Sequence, residues 1–275
     1  MSATTTPTWD PGQYLRHAEH RARPFAELLG RVPALPGEPA RSARIADLGC
    51  GPGNVTLQLA ERWPAAHITG YDNSPEMLAR AEEHAGPTAG GGRLDFAHAD
   101  LTGWAPAETY DLIVSNAALQ WVPGHLEAFG TWLDAVAAGG TFAFQVPDNL
   151  DAPLHALMRE LAASARWKGR LDGVLRGADS VHDPLVYLAR LARLGCEVDV
   201  WETTYMQLLQ GEDAVLDWSK GTGMRPALTA LADDPEARDA FTAEYRDLLR
   251  TAYPTAPYGT VLPFRRLFAV ARKTG

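Results

Sequence analysis

The chain has 275 residues, of which 46% are hydrophobic and 21% charged, with a net charge of −9 and two cysteines. This is the composition of a soluble globular protein long enough to bury a continuous core. It argues against a membrane span, since no run approaches the ~18 apolar residues one needs, against a disulfide framework, and against a general binder of nucleic acid or anionic membranes.

The N-terminal stretch MSATTTPTWDPG lacks a basic region followed by an apolar one, so the cytoplasm is the expected compartment. Residues 12–30 place Tyr14, Leu15, Ala18, Ala22, Phe25, Ala26 and Leu29 at near-helical spacing, which predicts an amphipathic helix ending near Gly30. A linker rich in proline and glycine, VPALPGEP, follows. Short apolar segments then alternate with helix-like stretches: Ala43–Leu48, His67–Tyr71, Leu94–His98, Tyr110–Ser115 and Gly140–Val146. That alternation predicts βαβ units in an α/β, doubly wound, mostly parallel sheet. Ser74-Pro75-Glu76 supplies an N-cap, a proline at the first helical position and an early acid. A helical region spans about 151–194 with a break near Gly169–Gly177, and a β-type run covers Glu197–Leu209. Helical segments rich in Trp, Asp and Glu precede a last apolar strand, Leu267–Ala271. The expected organisation is a single domain over 1–275. It has a helical cap and linker over 1–42, a nucleotide-binding core over 43–148, and a C-terminal half over 149–275 with a helical cap at about 210–260.

Asp47-Leu48-Gly49-Cys50-Gly51-Pro52-Gly53 closes the first strand. Glycines there allow a sharp turn and let a ligand reach bare backbone. A following helix N-terminus would add orphan N–H groups and a partial positive end. A dinucleotide fingerprint requires a small third residue at position 54, and that position is Asn54. Asp72 ends the second strand, placed to accept both ribose hydroxyls of a nucleoside and to disfavour a 2′-phosphate. The small thiol of Cys50 reads as packing.

In this loop and spaced acid the chain resembles the class I S-adenosylmethionine-dependent methyltransferases. The resemblance implies that Asp47, Gly49, Gly51 and Gly53 approach the amino-acid part of the cofactor and that Asp72, with Asn73 beside it, holds the ribose. It further implies that Asp100 and Leu101 border the adenine, and that Asn116 lines the methionine end. The plainer reading of Asp100 is a turn residue or helix cap.

Within that class, seven segments resemble the trans-aconitate methyltransferase family. They are Trp9-Asp10-Pro11 with Tyr14, Arg21-Ala22-Arg23-Pro24, Leu119-Gln120-Trp121, Pro147-Asp148-Asn149, Gly195 to Trp201, Gly221 to Pro226, and Arg266-Leu267-Phe268. The likeness covers nearly the whole chain, with departures in the linker at 34–43, the glycines at 89–92 and the stretch 165–180. It implies methyl transfer to one carboxylate of a small tricarboxylate, giving a monomethyl ester. Such an acceptor is already ionised at neutral pH, so no side chain need act as a base and no catalytic residue is expected beyond alignment. The other carboxylates call for arginine forks. Arg23, Arg225, Arg265 and Arg266, outside the main fold, are the candidates, Arg225 foremost because Gly221–Pro226 reads as a tight non-helical stretch. Tyr14, Trp121 and Tyr205 are candidate pocket walls.

No metal site is expected: His17 and His20 share a helix face, but no further ligand on that element completes a set. No G-x-S-x-G elbow is present. The expected partner is a small polycarboxylate bound by a monomer. Two other readings stay open at this point: a methyltransferase for a different carboxylate, such as an acyl-carrier-linked one, and a non-catalytic S-adenosylmethionine-binding protein.

Overall fold

The computed structural model describes residues 12, 18–39, 41–106, 108–177 and 180–275. Tyr14 and His17 lie outside the described residues. The described residues divide into two compact units: a sheet unit within 19–147, 180–203 and 266–275, and a helical unit within 148–177 and 204–265.

In the sheet unit, α1 (Ala18–Arg31) leads through the linker to β1 (Arg44–Leu48). The chain continues through α2 (Leu57–Arg62), β2 (His67–Asp72), α3 (Pro75–Ala81), β3 (Gly86–Pro87), β4 (Arg93–His98), β5 (Tyr110–Asn116), α4 (His125–Asp134) and β6 (Val136–Pro147). After the helical segments comes α7 (Pro184–Arg193), which leads into β7 (Cys196–Leu209), and the chain ends on β8 (Thr260–Lys273); residues 204–209 of β7 and 260–265 of β8 belong to the helical unit. The sheet order is β3-β4-β2-β1-β5-β6-β8-β7. Strands β4, β2, β1, β5 and β6 run parallel to their neighbours, β8 is antiparallel to β6, and β3 is antiparallel to β4. Parallel neighbours need crossovers, which the helices between them supply. Strand order reverses at β1, flanked by β2 on one side and β5 on the other, and this is where doubly wound sheets bind ligands. All seven residues of β5 are buried, as expected for a central parallel strand. Phe129, Trp132, Phe142, Phe144 and Tyr187 pack into an aromatic core beside it.

The helical unit contains α5 (Pro153–Ala163), α6 (Lys168–Leu171), α8 (Ala214–Lys220), α9 (Arg225–Ala230) and α10 (Pro235–Ala252). Its own core gathers Trp167, Trp218, Phe241, Tyr245 and Phe264. The buried Tyr245 hydroxyl donates to the Leu154 carbonyl at 2.5 Å, and the Leu154 N–H donates to the Tyr253 hydroxyl at 3.0 Å.

Several sequence expectations are corrected. The last strand starts at Thr260, not Leu267, because burial alternates residue by residue from Thr260 to Arg265, a period-2 pattern that an apolar-run criterion overlooks. The two-residue edge strand β3 was not expected. Arg225 is not in a non-helical stretch: turns cover 221–224 and Arg225 opens α9, with Pro226 at an early helical position that its fixed φ favours. Arg266 is not outside the main fold, since it sits in β8 opposite Pro147 with 2% of its surface exposed. Nor does the glycine loop open a helix directly, because turn residues intervene before α2 at Leu57. The Ser74 cap is as expected, its hydroxyl accepting from the Met77 N–H at 3.3 Å with Pro75 following.

Candidate active site

The loop after β1 is shaped by three glycines in the left-handed region, Gly49 (φ 75°), Gly51 (φ 57°) and Gly53 (φ 76°). They do different work. A Cβ on Gly49 would fall 2.2 Å from the Ala118 Cβ, with Leu101 Cδ1 at 4.0 Å, so the loops after β1, β4 and β5 converge there. A Cβ on Gly51 would meet nothing within 4 Å, which leaves open space over bare backbone.

Asp72 closes β2 and is partly buried. Its Oδ2 accepts from the Gly51 N–H at 2.9 Å and its Oδ1 from the Ser74 N–H at 2.9 Å. Burial raises its carboxyl above the ordinary range, opposed by backbone N–H groups of Ser74, Gly51 and Asn73 and by His98. A carboxylate has about four lone-pair sites, so both oxygens keep acceptor capacity for a diol. Asp72 thus also braces the glycine loop, a role its spacing does not disclose. Asn73 is exposed beside it.

Asp47 is fully buried at the end of β1. Thr56, equally buried, donates to its Oδ2 at 2.7 Å, while Oδ1 has no hydrogen-bond partner among the described residues. Burial, together with Asp72, pushes this carboxyl up to about 7 against the opposing Thr56 bond. A buried carboxylate with an orphaned oxygen beside exposed backbone suits the positive end of a ligand. Burial, then Asp47 and Asp72, also pushes the Cys50 thiol well up, which keeps it a neutral packing group.

Asp100 is exposed, and its Oδ1 accepts from the Thr102 N–H at 2.9 Å, so it does form a turn, with one oxygen still available. Leu101 is buried. Asn116, 6% exposed, ends β5; its Oδ1 accepts from Gln145 Nε2 at 2.6 Å. Asp47, Gly49, Gly51, Gly53, Asp72, Asn73, Asp100, Leu101 and Asn116 all belong to the sheet unit. An orphaned buried carboxylate oxygen on Asp47, spare acceptor capacity on Asp72 and open backbone at Gly51 are chemically compatible with S-adenosylmethionine.

The candidates for the acceptor are more scattered. Arg23 is exposed on α1 and pairs with Glu27 at 2.8 Å. Trp121 ends the 3₁₀ turn Leu119–Trp121, partly buried. Both are in the sheet unit; Tyr205, Arg225 and Arg265 are in the helical unit. Tyr205 is buried, Arg225 partly so, and Arg265 is engaged with Asp148, its Nε donating to the carbonyl at 2.7 Å.

The sequence reading missed a basic cluster in the helical unit. His155 and Arg159 lie one turn apart on α5, and a Cβ on Gly223 would fall 2.7 Å from the His155 ring. Burial, then Arg176 and Arg159, holds the His155 imidazole down to about 3, so it is neutral at any ordinary pH. Burial and then Arg159 bring the Arg176 guanidinium down to about 10, still charged. The signal was partial: the four-residue step from His155 to Arg159 is visible on one helix, but spacing does not bring Arg176 to it. Among the described residues no group of three His, Cys, Asp or Glu could hold a metal ion.

Residues 45–140 match the family model described as a methyltransferase domain. The Bacillus subtilis YcgJ protein has the same fold, at TM-score 0.56 and 13% identity, covering 93% of this chain and 99% of that one. A putative sarcosine dimethylglycine methyltransferase from Galdieria sulphuraria aligns at TM-score 0.54 and 16% identity, covering 98% and 92%. The fold is the class I methyltransferase fold. Among curated proteins, trans-aconitate 2-methyltransferase of Streptomyces avermitilis is 68% identical over 97% of both chains. The enzyme of that name from Streptomyces coelicolor is 65% identical over 98% of this chain and 88% of its own, and that from Rhodococcus jostii 47% over 96% and 99%. The chain belongs to the trans-aconitate 2-methyltransferase family.

Proposed function

We propose that this enzyme methylates one carboxylate of trans-aconitate, giving its monomethyl ester. The observation that carries the reading is near-full-length identity of 68% to a protein of that name. When bound, S-adenosylmethionine supplies an electrophilic methyl group on a sulfonium. Asp47 offers its buried carboxylate to the ammonium end, Asp72 its oxygens to the ribose, and Asp100 and Leu101 flank the adenine. The chain needs no general base, because the acceptor carboxylate is ionised at neutral pH. What remains is to align that oxygen with the methyl group and exclude water.

Guanidinium forks hold the carboxylates that do not react. Arg225 keeps first place because Gly223, two residues before it, packs against His155, next to Arg159 and Arg176. Arg23, Arg265, Trp121, Tyr205 and Tyr14 remain candidates in the same reading. The protein acts as a monomer in the cytoplasm on a small molecule rather than a nucleic acid or membrane, and sedimentation tests the monomer. Both cysteines are free, which suits a reducing compartment, and no helix among the described residues is long and apolar enough to cross a membrane. The test of substrate is a panel of di- and tricarboxylates with methyl-labelled cofactor. Trans-aconitate is expected to give the highest kcat/KM, and a different acid preferred by tenfold or more would replace it (roughly 1.4 kcal/mol in transition-state binding).

A further inference from the structure

Gln145 is a polar residue in the apolar strand Thr141–Val146, and nothing in the glycine loop or in carboxylate chemistry accounts for it. It is fully buried and is the Cα partner of Asn116 across the parallel β5–β6 pair. On its other side Arg266 Nη1 donates to Gln145 Oε1 at 3.0 Å, and Gln145 Nε2 donates on to Asn116 Oδ1 at 2.6 Å. A primary amide ordinarily has two orientations of similar shape. A guanidinium carries donors only, so beside Arg266 the Gln145 amide satisfies both neighbours in one orientation alone. The Asn116 amide is fixed in turn, its oxygen toward Gln145 and its N–H groups directed away, and no acceptor among the described residues takes them.

Those N–H groups sit at the carboxyl end of β5, where the next residues are held in an unusual conformation. Ala117 has φ 56°, uncommon for a residue with a Cβ, and such backbone is kept where the surroundings determine it. Its N–H donates to the Gln145 carbonyl at 2.9 Å and its carbonyl accepts from Gln120 Nε2 at 2.5 Å. Ala118 then lies against Gly49. The turn after Asn116 is thereby pressed onto the glycine loop, all within the sheet unit.

We propose that Arg266 and Gln145 are positioning residues that hold the Asn116 amide as a fixed N–H donor for a carboxylate oxygen bound beside the glycine loop. The proposal rests on the reading that Asn116 borders the cofactor site. The carboxylate has two possible sources, the amino-acid end of the cofactor or the acid substrate, and the experiment separates them.

The principal variant is Gln145→Glu. A carboxylate there pairs with Arg266 but only accepts, so Asn116 must turn its N–H groups toward it and present its carbonyl oxygen to the site. The measurements are calorimetric affinity for S-adenosylhomocysteine, KM for the acid, and melting temperature. A loss of about tenfold or more is expected in one of the two binding constants, with the melting temperature held. Movement of the S-adenosylhomocysteine constant assigns the cofactor carboxylate, and movement of KM alone assigns the substrate carboxylate. Asn116→Asp should reproduce the loss, and Gln145→Glu should add no further loss in an Asn116→Ala background. Should Gln145→Glu fail to fold, Arg266→Met, which frees the Gln145 amide to turn, and Asn116→Asp provide the same readout. Both constants within about twofold of wild type in a folded variant would overturn the proposal. A wild-type protein that binds S-adenosylhomocysteine but esterifies no acid would end the functional reading and leave the binding arm decisive; one that does not bind it overturns both.

Discussion

The loop after β1 and the turn at 221–224 both carry glycines and both lie ahead of a helix, yet their roles were not equally readable. In the first, three glycines at positive φ and two strand-end carboxylates shape the site through the backbone. In the second, Gly221 and Gly223 are at ordinary φ; Gly223 is small because the His155 ring occupies the space of a Cβ. Glycines that serve conformation repeat at fixed spacing and can be recognised in sequence, whereas a glycine that makes room for a distant side chain looks the same as any other.

Four substitutions or titrations sharpen that contrast. The largest effect is expected for Gly49→Ala, which combines a strained φ with a 2.2 Å approach to Ala118. It should abolish cofactor binding or folding, while Gly51→Ala, with open space around it, should fold with a cost of only about 1–2 kcal/mol. Calorimetry and thermal melts on the pair check this, and equal behaviour of the two would break the distinction between the glycines.

Next is Arg225→Lys, which keeps charge but loses the planar fork. Turnover should fall by up to about a hundredfold through misalignment, with S-adenosylmethionine affinity unchanged. Steady-state kinetics on trans-aconitate decide it, and unaltered kcat and KM in both Arg225→Lys and Arg225→Ala would remove Arg225 from the site.

Asp72→Ala should weaken S-adenosylmethionine binding at least tenfold, since charge-assisted hydrogen bonds are worth roughly 1.5–3 kcal/mol each. It should also lower the melting temperature, because Gly51 and Ser74 lose their acceptor. Wild-type affinity would disprove the ribose assignment.

The smallest effect is graded with pH. Asp47, raised to about 7 by burial, binds its proton more tightly folded than unfolded. Its contribution to stability is therefore present below the unfolded value of about 4 and is lost as pH rises through about 7. Binding the cofactor's ammonium requires the ionised form, so affinity should fall by up to tenfold per pH unit below about 7. Calorimetry across that range reads it, and a flat profile would remove Asp47 from the ammonium end.

The same contrast explains what could be read in advance. Strand ends, the glycine spacing and the acid at 72 are local and periodic, so the parallel sheet and its switch point followed from them. The extended start of β8 was hidden because alternating exposure around Pro263 and Arg265 does not form an apolar run. Thr56 on Asp47, and Gln145 and Arg266 behind Asn116, were not foreseen because each acts across sequence separations of 9, 29 and 121 residues. A glutamine between Phe144 and Val146 was the one visible trace. Of the basic cluster, only the four-residue step from His155 to Arg159 is local, and Arg176 joins it from a separate segment.

This chain forms an ester on a carboxylate of trans-aconitate using the methyl group of S-adenosylmethionine. The most direct measurement is incubation of the three components with methyl-labelled cofactor, followed by mass analysis before and after mild base. One labelled methyl per molecule of trans-aconitate, released as methanol by base and absent in Asp72→Ala at limiting cofactor, is the predicted result. Cofactor binding without label transfer, or a label that resists base and so sits on carbon or nitrogen, would contradict it.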